Sequence, residues 1–398
     1  MKVNKMTYEV LAKFGRRLRL GMVGGGIDSV IGRTHLVSMR VDGFYNLTAG
    51  AMSVKPEIAV QSAKQELISK DRIYVDYKTM AKEEANREDG IDVVLIATPP
   101  QLHYQVSKEF LENGIDVICE KPLTKNLEEA INLKKLINDN DRLFCLTHCY
   151  SGYPMVRQAR DMIKSGELGN IKLIEGELCA GDPGVVNEPE NPANRHWRFK
   201  KTSMGEGAIM GEVASHAHHI VSYVTGLRVE EVSAELSTFA KDREVFDNSY
   251  VTARFEGGAR GRIWGSYVAA GNDHGLSFRI FGEKGGLIWH QEEPEVLWYK
   301  PIGKAAVRIA RGYDSNSSDS LSGSRFRPGH PEGYALAFAN LYTDFAMAII
   351  HKKLKKDPSK FLNRIPGILD GIDVMALIDA AMHSNNNNGE WVKVYKDL

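Results

Sequence analysis

Leu18-Arg19-Leu20-Gly21-Met22-Val23-Gly24-Gly25-Gly26 is a short apolar run that stops on three glycines, and a helical segment opens a few residues later. A strand, a glycine turn and a helix N-terminus in that order make a place where backbone approaches a pyrophosphate and unpaired amides face anionic oxygens. The spacing departs from G-x-G-x-x-G, because Ile27-Asp28-Ser29-Val30-Ile31 separates Gly26 from Gly32. On its own a plain tight turn also accounts for the glycines; the flanking strand and helix give the cluster its weight.

Outward from that turn the pattern repeats. Further apolar runs at Leu47 to Ala51, Val93 to Ala97, Val117 to Cys119 and Leu143 to Thr147 alternate with helical periodicity at Ile58 to Leu67, Tyr104 to Glu112 and Leu127 to Leu136. Alternation of this kind predicts a doubly wound parallel sheet, a dinucleotide-binding Rossmann domain over 16–149 that follows an N-terminal extension, 1–15. After Tyr150 the texture changes. One helix, Pro154 to Ile163, is followed by period-two runs at Ile171 to Leu178, Val229 to Thr238, Tyr250 to Phe255, Gly261 to Tyr267, Leu276 to Phe281 and Leu287 to Trp289. Gly282-Glu283-Lys284-Gly285 reads as a hairpin connection. The expectation for 150–398 is one α+β domain carrying a large, mostly antiparallel open sheet, with a polar loop at Tyr313 to Gly329, helices at Gly333 to His351 and Ile368 to His383, and a last strand at Trp391 to Tyr395.

In an open parallel sheet, ligands bind outside the carboxyl ends of the strands. Two such ends carry chemistry: Ala97-Thr98-Pro99-Pro100, with His103 opening the next helix, and Cys119-Glu120-Lys121-Pro122. The second strand ends in Ala51-Met52-Ser53 without the acid that binds ribose hydroxyls in NAD sites, and no arginine adjoins Ser53 to favour a 2′-phosphate. NAD is therefore the expected cofactor, and NADP stays open. The candidate cofactor contacts are Gly24, Gly26, Ile27 and Ile31 on the turn, Ser53, then Thr98, Pro99, His103, Glu120 and Lys121.

These residues resemble the Gfo/Idh/MocA family, the glucose-fructose oxidoreductase and inositol dehydrogenase group, through the glycine turn, the Ala-Thr-Pro strand end and Glu-Lys-Pro. Gly207 to His216 is similar to the family's second segment, with His216 at its histidine and Glu212 where the family has aspartate. Four residues is about one helical turn, so Glu212 and His216 are expected on one face. The likeness implies a two-domain NAD-dependent dehydrogenase in which Lys121 orients and polarises a secondary hydroxyl, His216 accepts its proton, and Glu212 binds a second hydroxyl or orients His216. It also implies a cis peptide before Pro122. The Gly-Met-Val-Gly-Gly-Gly start, His148 to Pro154 and Gly329 to Tyr334 are similar to the levoglucosan dehydrogenase and glycoside 3-dehydrogenase branch, which implies a sugar, glycoside or inositol oxidised at, for a pyranoside, carbon 3. Two alternatives stay beside it: an NAD-dependent glycosidase working by transient oxidation and elimination, and a non-catalytic NAD-binding regulator on the same fold.

Further substrate candidates are Trp197 and Arg198, an aromatic face beside a donor, together with Tyr153 and His330. His216-Ala217-His218-His219 lacks the i, i+4 pair of H-E-x-x-H, and Cys145, His148 and Cys149 lack a matching second half, so no metal is expected. Charge excludes other classes: 51 basic and 51 acidic side chains cancel, which favours neither nucleic acid nor an anionic membrane surface. There is no apolar run long enough to span a bilayer and no signal-peptide pattern, and the four cysteines have no disulfide spacing, so a cytoplasmic protein is expected. The family likeness implies a homodimer or homotetramer formed through the open sheet.

Overall fold

The structure, a computed structural model, describes residues 2–189, 191–205 and 207–395. The chain divides into two compact units. The first comprises 1–152 and 332–372, the second 153–331 and 373–398.

The first unit is built on five strands, β1 (Leu18–Gly24), β2 (Tyr45–Ala51), β3 (Val93–Ala97), β4 (Asp116–Cys119) and β5 (Phe144–Leu146), in the order β2-β1-β3-β4-β5. Every pairing is parallel. Both faces are covered, which is why β3 reads Val-Val-Leu-Ile-Ala with no polar alternation and is buried throughout. The helices between the strands start where their caps dictate. Asp76 accepts from the amides of Lys78 and Thr79 at 2.9 Å and opens Tyr77–Asn86. Asn126 accepts from Glu129 at 2.9 Å and opens Leu127–Asp139. The N-terminal extension contains a helix, Lys2–Phe14.

The helix Tyr334–Lys353, expected with the second domain from its place in the chain, packs inside the first unit, and all of Ala337 to Ile350 is buried. A helix apolar on every side carries no stripe to tell which sheet it will cover. Tyr45 Oη donates to the Tyr342 carbonyl at 2.8 Å, and Lys353 Nζ lies 3.0 Å from Asp92.

The second unit holds nine strands: β6 (Ile171–Cys179), β7 (Val229–Ser237), β8 (Asn248–Phe255), β9 (Arg260–Ser266), β10 (Ser277–Gly282), β11 (Gly285–His290), β12 (Val296–Pro301), β13 (Val307–Ala310) and β14 (Val392–Lys393). Their order is β13-β12-β11-β10-β6-β9-β8-β7-β14, with β6 and β9 parallel and the other pairs antiparallel. The open, mostly antiparallel sheet is thus as expected, and β12 and β13 lengthen one edge beyond the strands legible in sequence. The polar loop from Tyr313 contains one short helix, Ser318–Ser322, capped by Ser317. Among the described residues no helix is long and apolar enough to cross a membrane, and all four cysteines are free and buried.

Candidate active site

At the glycine turn the backbone does what the residue type permits. Gly24 has φ +74°, a left-handed conformation that glycine alone adopts without strain. Gly32, the displaced third glycine, stands so close to the turn that a Cβ on it would meet the Gly25 carbonyl oxygen at 2.1 Å. The stretched spacing therefore still ends in the close turn-to-helix approach that a dinucleotide turn requires. The Gly26 amide donates to Met52 O at 3.1 Å and the Ile27 amide to Ser62 Oγ at 3.0 Å, which ties the turn to the end of β2 and to the helix Pro56–Gln65. Ser29 caps the helix Val30–Ser38, in whose first turn Ile31 lies, by accepting from the Gly32 amide.

A cavity of about 200 Å³ opens beside this turn, lined by Gly25, Gly26, Ile27, Arg33, Met52 and Glu66 among others. Arg33 and Glu66 were not legible as site residues, since neither adjoins the strand end in sequence; the helix Val30–Ser38 and the residue after Pro56–Gln65 bring them to it. Ser53 Oγ accepts from the Lys55 amide at 3.2 Å, which uses one of its lone pairs. At the end of β3, Thr98 Oγ1 is buried and finds no hydrogen-bond partner among the described residues, while Pro99 is exposed. A glycine cradle that a Cβ would fill and a buried polar atom left over at a strand end both fit a dinucleotide.

His103 is wholly buried, its Nε2 2.9 Å from Thr98 O and its Nδ1 2.8 Å from Pro122 O. It spans the two chemistry-bearing strand ends from behind. Burial lowers its pKa even though both carbonyls favour the protonated ring. The Lys121-Pro122 peptide is cis.

Glu120, 6% exposed, turns inward from the end of β4. Thr147 Oγ1 donates to Oε1, the Lys121 amide donates to Oε2 at 3.3 Å, and His35 Nε2 stands 3.2 Å from Oε1, off the ideal hydrogen-bond line. Burial pushes this carboxyl up, but His35, Lys121 and Thr147 outweigh it and hold it below the usual carboxylate value.

In the second unit, Met210–Ala214 is a π-helical turn that runs directly into the helix Ser215–Thr225. The regular helix expected across Glu212 and His216 is widened at that point, a local distortion often found at functional sites. His216 is 7% and Glu212 8% exposed. Glu212 Oε2 accepts from Arg198 Nε at 2.7 Å, and the Arg198 guanidinium lies 4.9 Å from the centre of the Trp197 ring. Two of the substrate candidates and the carboxylate thus form one cluster. Tyr153 is 2% exposed and packs on the buried Trp289 ring at 5.4 Å. His330 is exposed and gives its main-chain carbonyl to Arg311 at 2.6 Å.

The segment that carries Trp197 and Arg198 is pinned by residues with no sequence motif. Glu188 accepts from Arg243 Nε at 2.6 Å and from Arg195 Nε at 2.7 Å; Arg243 is fully buried, lies 4.1 Å over the Phe199 ring and donates to Val185 O at 2.7 Å. Among the described residues no group of three or more His, Cys, Asp or Glu is placed to hold a metal ion.

A parallel dinucleotide sheet with a buried Glu beside a strand-end Lys, followed by a unit that presents a buried histidine, defines a nicotinamide-dependent oxidoreductase. Residues 18–148 match the oxidoreductase family with an NAD-binding Rossmann fold and 156–288 the GFO/IDH/MocA C-terminal domain, and the chain belongs to that family. It is 32% identical over 381 residues to the uncharacterised oxidoreductase YfiI of Bacillus subtilis (strain 168), covering 94% of this chain and 96% of that one. Levoglucosan dehydrogenase of Pseudarthrobacter phenanthrenivorans is 25% identical over 406 residues, 95% of this chain and 98% of the relative. Among solved structures, an inositol dehydrogenase homologue from Azotobacter vinelandii in complex with NAD+ superposes with a TM-score of 0.89 at 33% identity, covering 95% of this chain and 97% of that one.

Proposed function

We propose that the protein is an NAD-dependent dehydrogenase of a cyclic polyhydroxylated substrate, a sugar, glycoside or inositol, with carbon 3 the position oxidised in a pyranoside. The observation that carries this reading is Lys121 at the carboxyl end of a central strand of an NAD-binding sheet, its neighbour Glu120 locked in place as a buried anion. Bound NAD accepts a hydride from the carbinol carbon. The chain's part is to hold the cofactor at Gly24, Gly26, Ile27, Ile31, Ser53, Thr98 and Pro99, with Glu120 and His103 bracing from behind, and to manage the hydroxyl proton. Lys121 donates a hydrogen bond to the substrate oxygen and stabilises its developing charge. His216, whose ordinary pKa is about 6.5, accepts the proton. Glu212, Arg198 and Trp197 contact the remaining hydroxyls and a ring face. The protein works in the cytoplasm as a homodimer or homotetramer formed on the open sheet.

The test is a panel of inositols, pyranoses and methyl glycosides followed by NADH and NADPH absorbance, run with wild type, Lys121→Ala and His216→Ala. Turnover with NAD that falls in both variants is expected. Near-normal turnover in both, or a wild type that turns over none of the panel, overturns the reading.

A further inference from the structure

His35, from the helix Val30–Ser38, is entirely buried, with its ring edge-on to Phe338 at 4.9 Å and Tyr342 at 6.1 Å. Its Nδ1 is 2.7 Å from Tyr342 Oη and its Nε2 faces Glu120. An ionised carboxylate only accepts, so Nε2, which faces it, carries a hydrogen, and Nδ1 shares a hydrogen bond with the Tyr342 hydroxyl. The other titratable groups around Glu120 do not compete for its charge: burial raises the Cys119 and Cys149 thiols and the Tyr334 and Tyr342 phenols and lowers His103, while His35 and Lys121 favour the anion.

We propose that His35 and Tyr342 are positioning residues for the reaction: the His35 ring, backed by the Tyr342 hydroxyl, holds Glu120 as the anion, and Glu120 in turn supplies the counter-charge that keeps Lys121 in place. The Thr147 hydroxyl and the Lys121 amide complete the cage. Burial opposes this anion, so it persists only while its donors are supplied. The inference rests on the proposed role of Lys121. It gives the helix Tyr334–Lys353 a function beyond covering the sheet, because that helix delivers the Tyr342 hydroxyl.

The experiment uses full-length protein in the carbonyl-reduction direction, NADH with a keto-inositol or the keto sugar formed in the panel. There His216 acts in its protonated form, so its titration falls on the alkaline side and leaves the acid side clear. In His35→Leu, Glu120 loses its N–H and takes up a proton at higher pH, so the acid limb of kcat/KM moves up by about one pH unit or more. His35→Gln, which returns an N–H donor, brings the limb back towards wild type. Tyr342→Phe removes a single oxygen, keeps the packing and shifts the limb the same way by less. An activity-independent readout runs alongside: infrared difference spectra between about pH 8 and 5 show an added protonated-carboxyl C=O stretch for His35→Leu, beyond the signal of the other carboxyls common to wild type and the His35→Leu, Glu120→Gln double variant. An unmoved limb and no new band in both His35→Leu and Tyr342→Phe overturn the inference. A wild type without turnover removes the functional reading while the infrared series still decides the fate of the Glu120 charge.

Discussion

Glu120 and Glu212 are buried almost equally, at 6% and 8% exposure, yet they are satisfied in opposite ways. Glu120 ends a strand of a parallel sheet and is held by an imidazole, a hydroxyl and a main-chain amide, donors fixed by packed elements. Glu212 sits in a π-helical turn and takes a full cation, Arg198, whose side chain is 36% exposed and belongs to the short turn Trp197–Phe199. The first arrangement holds a fixed geometry; the second leaves a charged, solvent-reaching pair, which in the proposed reaction meets the part of the substrate that varies. Invariant chemistry belongs on rigid elements and selectivity on loops. The comparison breaks if substitutions in the first region change substrate preference, or if those in the second abolish turnover.

The largest effect is expected at Lys121. Lys121→Ala lowers kcat/KM by about 10²- to 10⁴-fold, through kcat, for every accepted substrate alike. Steady-state kinetics on three substrates of the panel checks this, and a loss confined to one of them would place Lys121 in recognition instead.

Next is the clamp on the segment that carries Trp197 and Arg198. Glu188→Ala leaves Arg243, whose side chain is wholly buried, with the more distant Asp247 carboxylate at 3.6 Å, the Val185 carbonyl and the Phe199 ring among the described residues. Breaking a buried pair costs about 3 kcal/mol, read from urea unfolding, and KM for the sugar rises while NADH affinity holds. If NADH affinity falls as far as KM rises, the clamp serves the whole protein and the two regions are not separable.

The platform itself is tested at Asp92. It accepts from both terminal nitrogens of Arg16 at 2.6 and 2.9 Å and from the Arg19 amide at 2.8 Å, and Lys353 stands 3.0 Å away. Burial pushes the carboxyl up, but Arg16, the Arg19 amide and Lys353 bring it below its ordinary value. A depressed folded pKa stabilises above the unfolded value, about 3.9, and that stability is lost as pH falls through the folded pKa. Since Arg16 is a third exposed, Asp92→Asn costs about 2 kcal/mol at neutral pH. The gap to wild type should close as unfolding is measured below about pH 4. A gap that stays constant with pH would mean lost packing, not lost charge.

Much of the first region was legible in sequence because its signals are local. Leu18 to Gly26 gives strand, turn and helix start, Glu120-Lys121-Pro122 follows an apolar run, and even the displaced Gly32 reaches the turn where a third glycine is needed. Its reinforcement was not legible. His35, Glu120 and Tyr342 meet across separations of up to 307 residues, and the all-round apolar helix that carries Tyr342 has no face to orient it. In the second unit the period-two strands showed themselves, whereas β12, which ends on Pro301, and the four-residue β13 did not. Arg198 was visible as a candidate, but its partner was not: Glu212, expected to serve a hydroxyl or His216, is engaged by a guanidinium fourteen positions earlier. Ion pairs made by loops leave no periodic trace.

The smallest effect, and the sharpest test of the division, is Arg198→Ala. The guanidinium binds Glu212 through Nε and lies over the Trp197 ring, so its removal takes away a cation, a planar fork of donors and one wall of the aromatic face together. None of these accepts the hydroxyl proton or stabilises the developing alkoxide in the proposed reaction. The ground state and the transition state therefore lose the same contacts, which raises KM about tenfold and leaves kcat within about twofold. Substrate order within the panel should change as well, because the lost donors distinguish one hydroxyl pattern from another. Arg198→Lys restores the charge but not the fork, and so recovers only part of the affinity. A fall in kcat at constant KM would assign the Arg198–Glu212 pair to the transition state, and the contrast between the two carboxylates would then be one of architecture alone.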